Sequence, residues 1–339
     1  MVYDIIIIAA GLFCSLFLPQ HSKKCIIEKT ERLGTKVLMS ERCNLTNSNL
    51  DPKLHYVGQF LKSLPSLFHQ FPEDMINYLI EYIEIKIEDN GRVLLKSGKS
   101  KQLVDFLVDQ SHKNTTEHIL NHEVFAITYV EDDSFVVTTS AGVFSAKRVI
   151  VASMTYPQIG ASPFAYEMAE QLLMFSKPHG ALCGIEIQED FSLLANTVQA
   201  IITLFKDNKK LYTNRSLLFT HRGFSPIVFD ATLYIDGDIS KYSLQIDFDL
   251  STSKKVIQVF KLIEGDTIRD FRIKILRSIQ EAKVSVICLK DLDQGFQSKK
   301  IPLYFVGESL DITGKTFNLQ RAWTSAYVCA KHIKISGHY

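Results

Sequence analysis

Residues 5–18 constrain the fold of this chain more than any other stretch. They are almost wholly apolar, and Asp4 stands immediately before them. Fourteen residues fall short of the ~20 that a helix needs to cross a bilayer. Asp4 occupies the place where a signal peptide wants Lys or Arg, and no small-x-small cleavage site follows. The run therefore reads as protein interior, and no membrane partner is expected. Ile5–Ile8 is the kind of strand that is buried on both faces of a parallel sheet. Gly11–Leu18 reads as the helix behind it, stopped by Pro19, and Cys25–Glu28 as a second short strand ending on an acid. This strand–helix–strand unit puts the chain in the α/β class.

Further strands follow the same logic. His122–Tyr129, Ser134–Thr139 and Gly142–Ala146 alternate like antiparallel strands joined by tight turns. Arg148–Ala152 and Leu303–Val306 are short buried runs. Ile5–Ile8, Cys25–Ile27, Val149–Val151 and Leu303–Val306 are expected side by side in one parallel sheet. Helical patterns at residues 60–88 are broken by Pro65 and Pro72, and Gln102–Gln110 reads as a helix with Leu103, Phe106 and Leu107 inward. From about Ile185 to Leu250 the chain turns strand-rich, at Val198–Phe205, Ser216–Phe219, Val228–Tyr234 and Tyr242–Phe248. No helical period appears there until Lys254–Leu262. At 339 residues the chain suits about two domains, at ~100–200 residues each.

The balance of charge excludes some functions. A net charge of +1 without long basic runs argues against a nucleic-acid surface as the main business. The cysteines Cys14, Cys25, Cys43, Cys183, Cys288 and Cys329 lie far apart, without a Cys-x-x-Cys pair or zinc-like His spacing. No metal site is expected, and scattered thiols fit a reducing, cytoplasmic setting.

Two places carry chemistry. Glu28 ends the second strand, seventeen residues after Gly11, where an acid can accept the hydroxyls of an adenosine ribose; otherwise it is a solvated strand-end acid. Lys29 beside it could lie along an adenine or simply be solvated. Near the C-terminus, the strand Leu303–Val306 ends on Gly307. Glu308 and Asp311 follow, and a helix opens near Asn318 with Leu319, Ala322, Trp323, Ala326, Ala330 and Ile333 on one apolar stripe. Acids in a glycine turn just before a helix N-terminus can hold a ribose hydroxyl and an electron-poor ring together. The plainer reading is a strand–loop–helix that closes the sheet. Ser97-Gly-Lys-Ser100 lacks the upstream glycine and preceding strand of a phosphate loop. His221 could face a substrate, but a lone histidine is more often structural.

Gly307-Glu-x-Leu-Asp-x-x-Gly followed by Asn318-Leu-Gln-x-Ala-Trp resembles the C-terminal flavin-contacting signature of the BaiN-type family, the aminoacetone-oxidase-like FAD-dependent oxidoreductases. Tyr3-Asp-Ile-Ile-Ile-Ile with Ala9-Ala-Gly-Leu, Glu28-Lys, Arg42-Cys-Asn-Leu-Thr-Asn47 and Phe219-Thr-His-Arg-Gly223 are similar to the same family in the same order. The resemblance implies an FAD/NAD(P)-binding Rossmann-like domain in two pieces, residues 1–185 and 284–339. A β-rich, barrel-like domain of residues 186–283 would be inserted between them. It implies FAD as cofactor, a small organic substrate, and NAD(P)H or oxygen as redox partner. Gly11 would open the dinucleotide-binding helix, Glu28 and Lys29 would meet the adenosine, and Val124 would grip adenine through its backbone. Arg42, Asn44 and Thr46 would form a loop against the isoalloxazine and pyrophosphate. Gly307, Glu308, Asp311, Asn318, Leu319 and Gln320 would line the ring and ribityl side. No catalytic side chain is implied.

The glycines depart from that family's pattern. The expected Gly-x-Gly-x-x-Gly after the first strand is Ala9-Ala10-Gly11 here. Glycines are also absent at Ser40-Glu41-Arg42, Ser153-Met154, Ser225-Pro226 and Thr316-Phe317-Asn318. The total of 16 lies below the ~7% average. Weak FAD binding is the expectation. The competing reading is a cofactor-free relative acting as a binding or scaffold protein.

Overall fold

In the computed structural model the first isoleucines take the centre of a sheet. The structure describes residues 2–9, 11–38, 43–50, 56–57, 71–89, 91–130, 133–153, 175–180, 185–186, 197–220, 223–225, 241–248, 271–274, 277–278, 283–287, 292–310, 313–314 and 318–336. By its internal contacts the chain divides into two units, residues 1–178 with 284–339 and residues 179–283.

The first unit is built on one sheet of β1 (Val2–Ile8), β2 (Lys24–Ile27), β3 (Thr116–Ile119), β4 (Val124–Val130), β5 (Ser134–Thr139), β6 (Gly142–Val151) and β7 (Leu303–Phe305). The spatial order is β3-β2-β1-β6-β5-β4, with β7 on the C-terminal half of β6. β3, β2, β1, β6 and β7 run parallel, with Ile8 beside Ile27 on one side and Val151 on the other. The four strands expected to share a parallel sheet therefore do so. Ile5, Ile6 and Ile7 are fully buried because both faces are covered, which is why the run does not alternate.

Four helices cover this sheet: α1 (Leu12–Phe17), α2 (Phe71–Ile80), α3 (Ser100–Lys113) and α4 (Asn318–Ser336). α1 packs on α3 and α4, and α4 also meets α2. Trp323 of α4 joins them, with ring centroids 4.7 Å from Phe17, 5.6 Å from Phe13 and 5.3 Å from Tyr78. Pro72 does not break α2, because it lies in the first turn, where a proline costs no intrahelical hydrogen bond.

Two sequence expectations are corrected. Gly142–Ala146 and Arg148–Ala152 are one strand, β6, antiparallel to β5 at one end and parallel to β1 at the other. Lys147 interrupts the apolar run only because its ammonium reaches the surface and binds Asp4 Oδ1 at 2.9 Å. Asn44 and Thr46 lie on a strand rather than a loop. Asn44–Asn47 pairs antiparallel with Arg92–Leu95, which also pairs with Ile85–Ile87.

The second unit holds a sheet whose longest strands are Thr197–Lys206 and Lys209–Thr220. Tyr242–Phe248 pairs with the first of these, and Phe271–Lys274 with Tyr242–Phe248. Val228–Tyr234, Lys254–Leu262 and His221 lie outside the described residues.

Candidate functional site

The parallel strands all point their C-terminal ends the same way, and their order creates a switch point. From β1 the chain goes to β2 on one side, whereas β6 and β7 lie on the other. In open α/β sheets, ligands bind at such a crevice beyond the strand ends. Backbone hydrogen bonds carry the ladder past the strands themselves. Ala9 N–H donates to Ile27 O (2.8 Å), Ala152 N–H to Ile8 O (3.0 Å), Val306 N–H to Val151 O (3.0 Å) and Glu28 N–H to Ile119 O (2.9 Å). Glu28, the Ala9–Gly11 turn, Ser153 and Gly307 thus follow the ends of β2, β1, β6 and β7 as a row.

The turn after β1 shows what the missing glycines do. Ala9 has φ +67°, the left-handed region that a glycine enters freely and an alanine does not. Gly11, by contrast, is required for space. A Cβ there would stand 2.4 Å from Ile7 Cγ2 and 3.1 Å from Ala152 Cβ. Gly11 therefore sets how closely α1 approaches β1 and β6. It opens α1 as its N-cap residue without a side-chain cap, in accord with the sequence reading.

Glu28 is 8% exposed, and its Oε1 accepts from Thr30 N–H and Thr30 Oγ1–H, both at 3.1 Å. Among the described residues Oε2 takes no hydrogen bond, so one carboxylate oxygen is fixed and the other remains an acceptor. His122 N–H binds the Glu28 carbonyl at 2.9 Å. That bond ties the start of β4 to this end of the sheet, since Val124 is buried two residues further on. Lys29, half-buried, makes no hydrogen bond among the described residues.

On the far side of the row, Gly307 has φ +70° with open space where a Cβ would project. Its N–H donates to Ser325 Oγ of α4 at 2.9 Å, which locks the turn to the helix. α4 begins at Asn318, and Glu308 lies in the single 3₁₀ turn before it. Gln320 is fully buried. Its amide Nε2–H donates to Thr324 Oγ1 at 3.0 Å, while Oε1 has no partner. Leu319 is half-buried beside it. The strand Asn44–Asn47 packs against α4, and its Thr46 hydroxyl is also buried without a partner. Ser153 Oγ, just beyond β6, is a third such atom.

Buried polar atoms are normally paired, so Gln320 Oε1, Thr46 Oγ1 and Ser153 Oγ suit a polar ligand. Arg42 and Asp311 lie outside the described residues. Sequence reasoning missed Thr30 and the role of Ser153. A hydroxyl residue two positions after a strand-end acid, and one directly after a central parallel strand, were the available signals. Among the described residues no group of His, Cys, Asp or Glu could hold a metal ion, and no helix is long and apolar enough to cross a membrane.

Comparison with known proteins agrees with this geometry. The chain is similar to a protein of Escherichia coli (strain K12) named ribosomal RNA dihydrouridine synthase, 27% identical and covering 98% of both chains. A protein of the same name from Haemophilus influenzae is 26% identical over 96% of both. The E. coli alignment runs to 401 positions, so the relative has segments without a counterpart in these 339 residues. Among solved structures, a flavocytochrome c3 fumarate reductase superposes with TM-score 0.55 at 12% identity, covering 98% of this chain and 78% of that one. A 3-ketosteroid-Δ4-(5α)-dehydrogenase from Rhodococcus jostii RHA1 gives TM-score 0.54 at 10% identity, covering 96% and 97%. These two share the fold. The model of the HI0933-like protein Rossmann domain matches residues 3–332, and the chain belongs to that family.

Proposed function

We propose that this protein is an FAD-dependent oxidoreductase of the BaiN type, with FAD held by residues 1–185 and 284–339 and residues 186–283 as an inserted domain. The observation that carries this is the row of strand ends with complementary polar atoms. Glu28 offers one free carboxylate oxygen to ribose hydroxyls, and Thr30 holds that carboxylate in place. Gly11 and Gly307 leave room for backbone to approach the cofactor. Gln320 Oε1 offers an acceptor to a ring N–H, and the Thr46 and Ser153 hydroxyls can each donate or accept. Bound there, FAD would supply hydride transfer at the flavin N5. The chain's own part is to orient ring and substrate and to exclude water. The intact acceptors favour this over a cofactor-free scaffold.

The test is reconstitution with FAD, anaerobic reduction by NADH or NADPH, and reoxidation by a panel of acceptors. Reduction and acceptor-dependent reoxidation support the reading; a chain that stays flavin-free with FAD in excess refutes it.

The names of the E. coli and H. influenzae relatives favour one acceptor over a small free molecule, a uracil of ribosomal RNA. Its C5=C6 bond is conjugated to the C4 carbonyl, so it can take a hydride at C6 and a proton at C5, giving dihydrouracil. The discriminating assay offers the reduced protein ribosomal RNA lacking dihydrouridine or small enones, and measures which of them is reduced.

A further inference from the structure

One end of the sheet in residues 179–283 carries a concentration of charge that the fold does not need. The strands Thr197–Lys206 and Lys209–Thr220 join through Asp207–Asn208, both at positive φ (48° and 64°), a two-residue hairpin turn. Lys206 and Lys209 are directly opposite each other in the ladder. Like charges at opposed positions destabilise a strand pair. Lys210 follows, and Asp207 N–H donates to Lys241 O at 2.9 Å, which brings a fourth lysine from the next strand to the same end. Lys209, Lys210 and Lys241 are exposed and make no ion pair among the described residues. Lys206 lies over the Tyr242 ring at 5.2 Å.

Lysines often protect sheet edges from pairing with other chains, but these strands are interior to their sheet, flanked on both sides. Edge protection therefore does not account for them. Four cations with Asp207 as their one close acid in sequence, in a chain of net charge +1, form a local anode for a polyanion. We infer that Lys206, Lys209, Lys210 and Lys241 form a docking surface for the phosphate backbone of the RNA substrate. The inference rests on the ribosomal-RNA reading above. It adds that substrate affinity is supplied by the second unit, away from the residues assigned to FAD. Phosphate contacts position a substrate without reading its sequence, so this surface would deliver RNA, and the chemistry would select the uridine.

The experiment uses the full chain with fluorescein-labelled, deproteinised ribosomal RNA in a salt series, plus an assay for dihydrouridine. The variant combines Lys209→Ala, Lys210→Ala and Lys241→Ala; a second combines Lys→Arg at the same positions. Losing three phosphate contacts should lower the slope of log affinity against log salt by about 2, at ~0.7 per contact for single strands, and weaken binding roughly tenfold or more. The arginine variant should bind as the native chain does. FAD content and thermal midpoint should be unchanged in both, which separates lost docking from misfolding. Native-like RNA affinity and slope in the alanine variant overturn the inference, while dihydrouridine formation by the native chain would leave the substrate reading standing. Absence of RNA binding by the native chain overturns both. Loss of binding to phosphatidylglycerol vesicles with RNA binding intact assigns the surface to lipid and overturns the inference.

Discussion

Two neighbouring residues in the first turn should respond to substitution with opposite signs. Gly11→Ala adds a Cβ 2.4 Å from Ile7 Cγ2 and 3.1 Å from Ala152 Cβ. Ile7 is fully buried on a central strand, and its branched Cβ leaves little rotamer freedom for Cγ2 to move aside. The helix must therefore shift from the sheet, an overpacking cost of ~1–3 kcal/mol. A smaller unfolded-state gain of ~0.4–1 kcal/mol offsets part of it. Ala9→Gly acts the other way. At φ +67° the alanine carries a left-handed penalty of ~1–2 kcal/mol, which glycine removes. The same ~0.4–1 kcal/mol entropy term now opposes the gain. The net expectation is about 1–2 kcal/mol lost at Gly11 and up to about 1 kcal/mol gained at Ala9. Urea unfolding followed by Trp323 fluorescence is the assay. Trp323 is the only tryptophan, and it packs on Phe13 and Phe17 of the helix concerned. An Ala9→Gly chain less stable than the native one, or a Gly11→Ala chain of native stability, would refute this account of the turn.

Three further outcomes are expected. Glu28→Ala should weaken FAD binding roughly ten- to a hundredfold, since losing a charged acceptor typically costs ~1.5–3 kcal/mol; an unchanged dissociation constant removes Glu28 from the site. Burial, then the His112 ring 4.2 Å away, pushes His118 down to about 4, and its Nε2 lies 2.6 Å from Ser111 Oγ. The unfolded chain binds a proton there first, so stability should fall as pH drops from about 6.5 to about 4. His118→Gln should flatten that segment of the stability curve, and an unaltered slope in urea titrations would exclude His118 as its source. Inserting Gly-Gly-Gly between Ile8 and Ala9 should raise flavin occupancy of the purified protein; no gain would place the limitation at residues 40–42 or 316–318.

The parts of the fold that were legible share one physical property. β1, β2, β7 and the C-terminal half of β6 are buried on both faces, so each leaves an unbroken apolar run. α4 was legible from its stripe, and Trp323, Ala326, Ala330 and Ile333 are all buried. Elements that mix environments were not. β3 reads Thr-Glu-His-Ile because Glu117 accepts from the Tyr3 hydroxyl and His118 sits by Ser111. Its alternation carries no apolar signal. Asn44–Asn47 looks like a polar loop, yet Leu45 and Thr46 are buried in a small sheet. At the site, Glu28, Gly11 and Gly307 were visible from their places after strands. The three orphaned acceptors and hydroxyls were not, because being unpaired is a property of the surroundings. Net charge likewise averaged away the lysines at the Asp207–Asn208 turn.

The most direct test of FAD binding is a titration of the flavin-stripped full chain with FAD, read by the flavin's visible absorption and by Trp323 fluorescence. The account predicts weak but saturable binding of one FAD per chain, weaker still in Glu28→Ala. Absence of saturation, or saturation indifferent to Glu28, would contradict it.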